Sequence, residues 1–399
     1  MNRSISAPGK LFLSGEYSVL WGGVALIAAV APRMSGAVRT RSDGEISLVT
    51  AAGRLRGRST PLGANWGGPV PAPFLFAARG VDEALRAHGR EALGFELVLA
   101  LTTRSSVGEK LGMGGSAQAA LIAVELSRFA LEDSFDPLKV ALLAHAKAQD
   151  GAGSGGDVAA VFAGGIVRYR RYPIEPLAKA SALGLLSSAL SSAPPVELRR
   201  LPPTRIRLSY AYSGESASTA ALISNVEGRL AAADRERFRS ESDLLVPALE
   251  ESILRNDFGS LRQAVSSLQE LLSSLGPLET ESIHRIVAIA RSYGAAAKIS
   301  GAGGGDGCIL FSPDEETERE MLAGLRTRGF WVTTLAVADG MRGEAEMPPD
   351  ARALVEERLR RAAARDLERS TRPARVKTRS ARRCPGEDSN LHGVATART

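Results

Sequence analysis

Three glycine-bearing segments, at residues 7–17, 110–120 and 298–307, hold the residue types that could do chemistry in this sequence. In the middle one, KLGMGGSAQAAL, glycines precede a run of helix formers. The N–H groups of such a loop and of the helix N-terminus converge on one place, which binds anions. The segment therefore predicts a phosphate loop. An ordinary glycine turn capped by Ser116 is the alternative.

The other glycine loops are less specific. In KISGAGGGDGCILF the many glycines cost backbone entropy, which favours close approach to a ligand, or else a glycine-rich hairpin connection. Cys308, at the start of the following apolar run, is expected to be a small buried residue. Asp157 follows GSGG and could cap a helix, act at a site, or do both.

The sequence lacks the motifs of several enzyme classes. Residues 112–117 satisfy the dinucleotide pattern GxGxxA, but a polar loop separates them from the preceding strand candidate, so a dehydrogenase is weakly supported. GxxxxGK[ST] and GxSxG occur nowhere, which excludes a P-loop enzyme and an α/β-hydrolase at the motif level. The two cysteines and four histidines show no zinc-site spacing.

Short strands and amphipathic helices must position these loops. In the first half, strands are predicted at 10–14, 24–30, 36–41, 46–49 and 95–102, and helices at 74–88, 116–131 and 137–149. In the second half, strands are predicted at 204–212, 295–311 (a strand–loop–strand unit) and 331–337, and helices at 218–230, 240–254, 258–275, 279–293 and 315–328.

The division of the chain follows from composition. We expect an N-terminal domain at 1–176, a connecting segment at 177–203, a C-terminal domain at 204–345 and a basic, disordered tail at 346–399. Residues 350–399 hold 13 Lys/Arg and 7 Asp/Glu, which accounts for the whole net charge of +6. The remainder is neutral, so no nucleic-acid partner is expected for the globular body.

Size and composition indicate a globular enzyme of the reduced cytoplasm. The chain has 399 residues, 44% of them hydrophobic and 24% charged, and two cysteines are too few for a disulfide framework. Neither a signal peptide nor a membrane span is expected, because no apolar run is long enough. A monomer or homodimer acting on a small molecule is the resulting expectation.

The three segments, in this order, resemble the GHMP kinase superfamily. APGKLFLSGEYSVLWGG is similar to its first motif, KLGMGGSAQAA to the nucleotide phosphate loop and KISGAGGGDGCILF to the third motif. The resemblance covers residues 5–340. It implies an α+β, two-domain GHMP kinase fold, with an N-terminal half like ribosomal protein S5 domain 2 and a ferredoxin-like α/β C-terminal half.

Within the superfamily, the chain resembles the phosphomevalonate kinase branch. Glu16-Tyr17, Lys110 two residues before the loop, HAKAQDGAGSGGDVAAVFAGG and YSGESASTAALIS carry that likeness. Three positions depart from the family patterns. Gly115 stands where Ser is usual, Ala146 stands where mevalonate kinases have a metal-binding Glu, and Gly151 replaces a frequent Lys.

The resemblance implies ATP and Mg²⁺ as cofactors and assigns site residues. The catalytic set is Asp157, Lys110 and Lys10, and Ser116 is the metal ligand. The ATP-binding set is Gly112, Met113, Gly114, Gly115, Ser116 and Ala117. The substrate-binding set is Lys10, Glu16, Tyr17, Ser154, Ser216, Ser218, Thr219, Gly301, Gly303 and Gly304.

The implied activity is phosphoryl transfer from ATP to a small acidic isoprenoid precursor, with phosphomevalonate converted to diphosphomevalonate in the mevalonate pathway. Mevalonate kinase, another small-molecule kinase of the superfamily or a decarboxylase-type relative is the alternative within enzymes. The departures at Gly115 and Ala146 leave a second alternative, a catalytically inactive nucleotide-binding regulatory protein.

Overall fold

The structure is a computed structural model. The residues it describes are 2–92, 94–101, 112–215, 219–349, 353, 355–357 and 360. The strands are β1 (Asn2–Ser14), β2 (Val24–Thr40), β3 (Glu45–Thr50), β4 (Gly53–Thr60), β5 (Gly63–Asn65), β6 (Phe95–Leu101), β7 (Ile166–Arg170), β8 (Leu198–Arg200), β9 (Arg207–Tyr212), β10 (Ala296–Ile299), β11 (Gly307–Ser312), β12 (Trp331–Leu335) and β13 (Arg342–Glu344).

The helices are α1 (Leu75–His88), α2 (Gly115–Ala130), α3 (Pro137–Ala148), α4 (Gly156–Ala163), α5 (Glu175–Ala182), α6 (Leu186–Ser192), α7 (Thr219–Arg229), α8 (Ala232–Arg255), α9 (Phe258–Ser273), α10 (Glu281–Ser292) and α11 (Glu315–Arg326).

The first half is built on a large mixed sheet. Among the described residues this sheet has nine strands, and its main path runs β13-β1-β2-β6-β3-β4-β5, with β7 paired to β2 and β8 to β7. The long strand β2 pairs with β1 along one edge, and along the other edge its first residues pair with β7 and its last with β6. Only β3 and β6 run parallel in these pairings. Helices α1, α2 and α4 pack on the sheet, α3 packs against these three helices, and all four contribute to one large apolar core.

The second half has an antiparallel sheet of four described strands in the order β10-β11-β9-β12. Its helices bury a second set of apolar side chains against it. A further cluster is shared between the halves, because Leu11, Leu13 and Leu26 of the first half pack with Leu208 and Phe311 of the second. The fold is therefore α+β with two sheets joined through a common apolar layer, as the resemblance implies.

The last described strand, β13, pairs with the first strand of the chain. Strand β13 pairs with β1 from Ser4↔Glu344 to Ser6↔Arg342. Arg33 fastens this return, because its guanidinium donates to the carbonyl oxygens of Asp339 and Gly340, each at 2.8 Å. Two sets of contacts thus join the halves: the pairing of β13 with β1 and the shared apolar cluster.

Most predicted elements are present, and the differences have local causes. Strands β4, β5, β7, β8 and β13 are absent from the prediction. The segment near 180–195, expected to be a loose connection, contains parts of α5 and α6. Its composition is low in information, but Leu186 and Leu190 are buried and anchor α6.

In the part of the chain that the structure describes, no helix is both long enough and apolar enough to cross a bilayer.

Candidate active site

The loop 112–114 leads directly into α2 and leaves the first turn of that helix open. Gly112 and Gly114 have φ angles of 67° and 87°, which residues with a side chain rarely adopt. Gly114 is the N-cap and offers no capping side chain, and the first turn of α2 has no acidic residue. The N–H groups at this helix end are therefore free to receive an anion.

A lysine of β1 lies against this loop. The Lys10 N–H donates to the Met113 carbonyl oxygen at 3.0 Å. A Cβ added at Gly114 would lie 2.7 Å from Lys10 Cγ, and one added at Gly9 would lie 2.8 Å from the Met113 oxygen. Only glycine permits so close an approach of strand and loop. The Lys10 side chain consequently borders the predicted phosphate site.

Three helices bring a serine, a histidine and an aspartate together beside the loop. Ser116 lies in the first turn of α2, His145 in the last turn of α3 and Asp157 in the first turn of α4. The His145 Nε2 atom is 3.3 Å from Ser116 Oγ and 3.4 Å from Asp157 Oδ2. Ser116 and Asp157, which come from two separate glycine loops, therefore face the same place.

Burial sets the charge of His145. The residue is 1% exposed, and this burial lowers the pKa of its imidazole, while Asp157 opposes the shift and Lys10 adds to it. Its Nδ1 atom has no hydrogen-bond partner in the described structure. The ring of Phe76 packs against it, with 5.2 Å between centroids. The imidazole is therefore neutral near pH 7.

The glycine loop before α4 forms the other side of Asp157. The Ser154 hydroxyl oxygen accepts from the Gly156 N–H at 3.2 Å, and the Ser154 carbonyl oxygen accepts from the Tyr169 hydroxyl at 2.9 Å. Burial raises the pKa of Tyr169, and among the nearby charges Asp157 raises it further while Arg171 lowers it. Asp157 and Arg171 thus both lie within electrostatic reach of one hydroxyl.

Arg171 carries a charge that no described carboxylate neutralises. Its guanidinium donates to the carbonyl oxygens of Leu20 at 3.0 Å and Gly151 at 3.3 Å. Lys10 likewise forms no ion pair with a carboxylate in the described ranges. Two cations therefore border the site with charge available for an anionic ligand.

Glu16 and Tyr17, at the C-terminal end of the first motif, form contacts within the protein. Glu16 is buried and pairs with the fully buried Lys298, whose ammonium also donates to the Ile299 carbonyl oxygen. Tyr17 has φ 59° and its hydroxyl donates to the Ala302 carbonyl oxygen at 2.7 Å. Both predicted substrate ligands have partners inside the protein, and their substrate role stays a prediction.

The third glycine loop packs between the halves. The Gly304 N–H donates to the Leu278 carbonyl oxygen at 2.7 Å, and a Cβ at Gly303 would lie 2.9 Å from the same oxygen. A Cβ at Gly301 would meet nothing within 4 Å. Further along, a Cβ at Gly112 would lie 3.0 Å from Asp306 Oδ2. The third loop therefore touches the phosphate loop through Asp306.

Some predicted site residues cannot be located. Lys110, Ser216 and Ser218 lie outside the described residues, and their roles stay predictions. Thr219 is the first described residue of α7 and is exposed. Ala117 is fully buried, so only its backbone could reach a ligand.

The structure describes the surroundings of all three positions that depart from the family patterns. A Cβ at Gly115 would meet nothing within 4 Å, and the same holds at Gly151. Either position would therefore accept a side chain on grounds of space. Ala146 lies in α3 next to His145, so a histidine of that turn, in place of a carboxylate, faces Ser116 and Asp157.

A cavity of about 450 Å³ opens beside the start of α1. Its lining includes Trp66, Leu75 and Arg79. Leu75 is adjacent in sequence to Phe76, whose ring packs on His145.

Sequence reasoning missed His145, Arg171 and Asp306 as members of the site. His145 directly follows the apolar run 140–144 of α3, which was the available signal. Arg171 follows β7 and Asp306 ends a run of glycines, and neither pattern points to a ligand without the fold.

Comparisons with known proteins agree on one family. The family described as GHMP kinases C terminal matches residues 246–329. A phosphomevalonate kinase of Streptomyces sp. (strain CL190) is 30% identical over 348 residues, which covers 79% of this chain and 91% of that protein. A mevalonate kinase of Aeropyrum pernix is 28% identical over 347 residues, covering 85% and 97%.

Solved structures give the same fold. Streptococcus pneumoniae phosphomevalonate kinase in complex with phosphomevalonate and AMPPNP superposes with a TM-score of 0.71 and 20% identity, and the match covers 83% of this chain and 99% of that chain. This likeness supports the two-sheet fold described above.

Proposed function

The chain belongs to the GHMP kinase family, and we propose on that premise that it transfers the γ-phosphoryl group of ATP to phosphomevalonate. The observation that carries the proposal is the convergence of the open N-terminus of α2, the Ser116 hydroxyl and the Asp157 carboxylate on one place bordered by Lys10. Phosphoryl transfer depends on positioning and charge stabilisation, which this arrangement can provide.

The phosphates of ATP would lie on the loop 112–116. Its N–H groups and the α2 dipole favour a negative charge there. For the nucleoside we propose the cavity at Trp66 and Arg79, which has the volume and the mixed apolar and polar lining that a nucleoside needs.

The residues present fit a magnesium ion. Mg²⁺ is held in nucleotide sites by one or two protein oxygens together with phosphate oxygens, and Ser116 Oγ and Asp157 Oδ2 both contact the same imidazole nitrogen. Ser116 is the proposed protein ligand. When bound, the ion neutralises phosphate charge.

The acceptor would lie between Asp157 and Arg171. An acceptor with a carboxylate at one end and a phosphate at the other needs a cation near each end. Lys10 borders the phosphate loop, Arg171 lies within electrostatic reach of the same Tyr169 hydroxyl as Asp157, and neither cation is paired with a carboxylate of the described residues. Arg171 would therefore receive the carboxylate, and Lys10 the transferring and accepting phosphates.

Asp157 would orient rather than deprotonate when the acceptor is a phosphate. A phosphate oxygen is already ionised near neutral pH, so no base is required for its attack. The carboxylate would then hold Lys10 in place for the developing charge. With an alcohol acceptor, the same carboxylate would accept the hydroxyl proton.

A coupled ADP-release assay with phosphomevalonate, mevalonate, homoserine and galactose tests the proposal. We expect turnover with phosphomevalonate, loss of that turnover when EDTA removes Mg²⁺, and a product that carries two linked phosphates. Turnover confined to another acceptor would overturn the substrate assignment. ATP binding without ADP release on any acceptor would favour the inactive regulatory alternative.

Mevalonate kinase is the second candidate, supported by the similarity to the A. pernix enzyme. The phosphate count of the product separates the two. Ala146 favours the first candidate, because the position where mevalonate kinases have a metal-binding Glu carries no carboxylate here.

Substitution of Arg171 tests the acceptor side. Arg171→Met should raise KM for phosphomevalonate by about 10- to 100-fold, because a charged hydrogen bond to a carboxylate contributes about 1.5–3 kcal/mol, while KM for ATP stays unchanged. Arg170→Met is the matched control, since Arg170 pairs with Glu197. An unchanged KM in the Arg171 variant would remove it from the acceptor site.

A further inference from the structure

A buried histidine occupies the centre of the site, and none of the sequence motifs assigns it a role. His145 is enclosed by three helices: Phe76 of α1 covers its ring, and Ser116 of α2 and Asp157 of α4 face its Nε2 atom. It is the side chain that contacts both the predicted metal ligand and the predicted catalytic carboxylate.

The surroundings of the two ring nitrogens fix where the proton lies. Nδ1 is buried without a partner among the described residues, so a proton there would be an unsatisfied donor. The Nε2 lone pair would then face the negative oxygen of Asp157 at 3.4 Å. A proton on Nε2 replaces that lone pair with a donor, which faces Ser116 Oγ at 3.3 Å and lies 3.4 Å from the negative Asp157 Oδ2, and Nδ1 is then only an unpaired acceptor.

We propose that His145 is a positioning residue whose Nε2–H group holds the Asp157 carboxylate and the Ser116 hydroxyl in a fixed relation. This inference rests on the proposed phosphoryl transfer. It explains how α3, which has Ala146 in place of a carboxylate, still contributes to the site: it supplies a donor that orients two oxygen atoms from neighbouring helices.

The geometry also says what a substitution should do. Loss of the donor removes this contact from Ser116 and leaves Asp157 held by the Val158 N–H, which donates to its Oδ1 atom at 3.0 Å, while the phosphate loop and the two cations keep their places. The effect should therefore fall on kcat more than on either KM, because substrate contacts remain and alignment is lost.

A second histidine offers a matched control. His88 Nδ1 lies 2.6 Å from Asp133 Oδ2, and the His88 side chain is 7% exposed. This pair joins the C-terminal ends of α1 and α2, at the opposite end of α2 from Ser116. Loss of His88 should affect stability alone.

The experiment compares His145→Gln, His145→Leu and His88→Leu in the full chain. We expect His145→Leu to lower kcat by about 10²-fold with both KM values within about threefold, because small misalignments have effects of that size. His145→Gln keeps an N–H donor at similar reach and should recover kcat to within about tenfold of wild type. His88→Leu should keep the wild-type kcat and lower the melting temperature.

Two results would overturn the inference. The first is that His145→Gln and His145→Leu, both folded by circular dichroism, have equal kcat. The second is independent of activity: the ¹⁵N spectrum of the wild-type imidazoles, with His145 assigned by its loss in His145→Gln, shows a proton on Nδ1 instead of Nε2. If the wild type phosphorylates none of the tested acceptors, the proposed function fails, and the spectrum still decides the tautomer.

Discussion

Two polar clusters of this protein differ in how fully their hydrogen-bonding capacity is used. In the closed pair, Lys298 and Glu16 contact each other, and Lys298 also donates to a backbone carbonyl. In the open cluster (Lys10, Ser116, His145, Asp157 and Arg171), the contacts of His145 are 3.3 and 3.4 Å long and its Nδ1 atom has no described partner.

Both groups combine residues from distant parts of the sequence, so proximity alone does not distinguish them. The closed pair links the first glycine segment to the third and offers a ligand little to bind. The open cluster keeps two cations without carboxylate partners in the described structure, beside a helix end free to receive an anion. Unused capacity of this kind indicates a ligand site.

The largest expected effect breaks the closed pair. Glu16→Gln leaves the buried Lys298 charge without its partner and should lower the free energy of unfolding by about 4 kcal/mol, measured by urea denaturation. The double variant Glu16→Met/Lys298→Met should recover most of that loss, because no charge remains buried. A stability loss below about 1 kcal/mol in Glu16→Gln would show that the pair is open to water.

The next effect falls on the open cluster. Asp157→Asn should lower kcat by about 10²-fold, equivalent to about 2.7 kcal/mol, because the carboxylate charge proposed to hold Lys10 against the bound phosphates would be lost. Thermal unfolding should shift little. Asp133→Asn, in the His88 pair, is the control and should keep full activity. A full rate in Asp157→Asn would remove that carboxylate from the catalytic set.

A smaller effect is expected on KM for ATP, and two glycine substitutions separate backbone strain from loss of ligand contact. Gly114→Ala should raise KM for ATP by about tenfold, because φ is +87° and the new Cβ would displace Lys10. Gly329→Ala has the same φ of +87° with nothing within 4 Å of the new Cβ. It should lower stability by about 1 kcal/mol and leave KM unchanged. Equal KM values for the two variants would contradict the role of the loop.

The smallest expected effect is a pH dependence of stability, caused by the buried Cys308 thiol in the strand next to that of Lys298. Burial raises the pKa of Cys308 to about 12. The unfolded chain therefore loses this thiol proton at lower pH than the folded chain, and the stabilisation is lost as pH rises. Between pH 8 and 9.5 the free energy of unfolding should fall by about 0.8 kcal/mol more in wild type than in Cys308→Ala. Equal slopes for the two proteins would contradict the shift.

The sequence predicts the elements whose apolar pattern is strong. The helices at α1, α2, α3, α9, α10 and α11 and the strands around the third loop follow from periodicity and glycine boundaries. Strand β4 escapes this reasoning because GRLRGRST alternates with arginines and lies near the edge of the sheet. Strands β7, β8 and β13 are short and gain their pairing from tertiary contacts.

The candidate site divides in a similar way. Glycine loops can be recognised in the sequence because a backbone with positive φ favours glycine. Gly112, Gly114 and the glycines before Asp157 could therefore be predicted. His145 and Arg171 could not, because their environment comes from helices and loops that meet only in the folded chain. Glu16 shows the converse, since a motif residue with a plausible ligand role is enclosed by Lys298.

The pairing of β13 with β1 also orders events during synthesis. The first strand leaves the ribosome early, yet the partner for residues 4–6 is made only when residues 342–344 follow. For most of translation, one edge of the large sheet carries unpaired backbone groups, which can recruit a strand from another nascent chain. Completion of the fold therefore waits for almost the entire described chain, because its first and last described strands can pair only then.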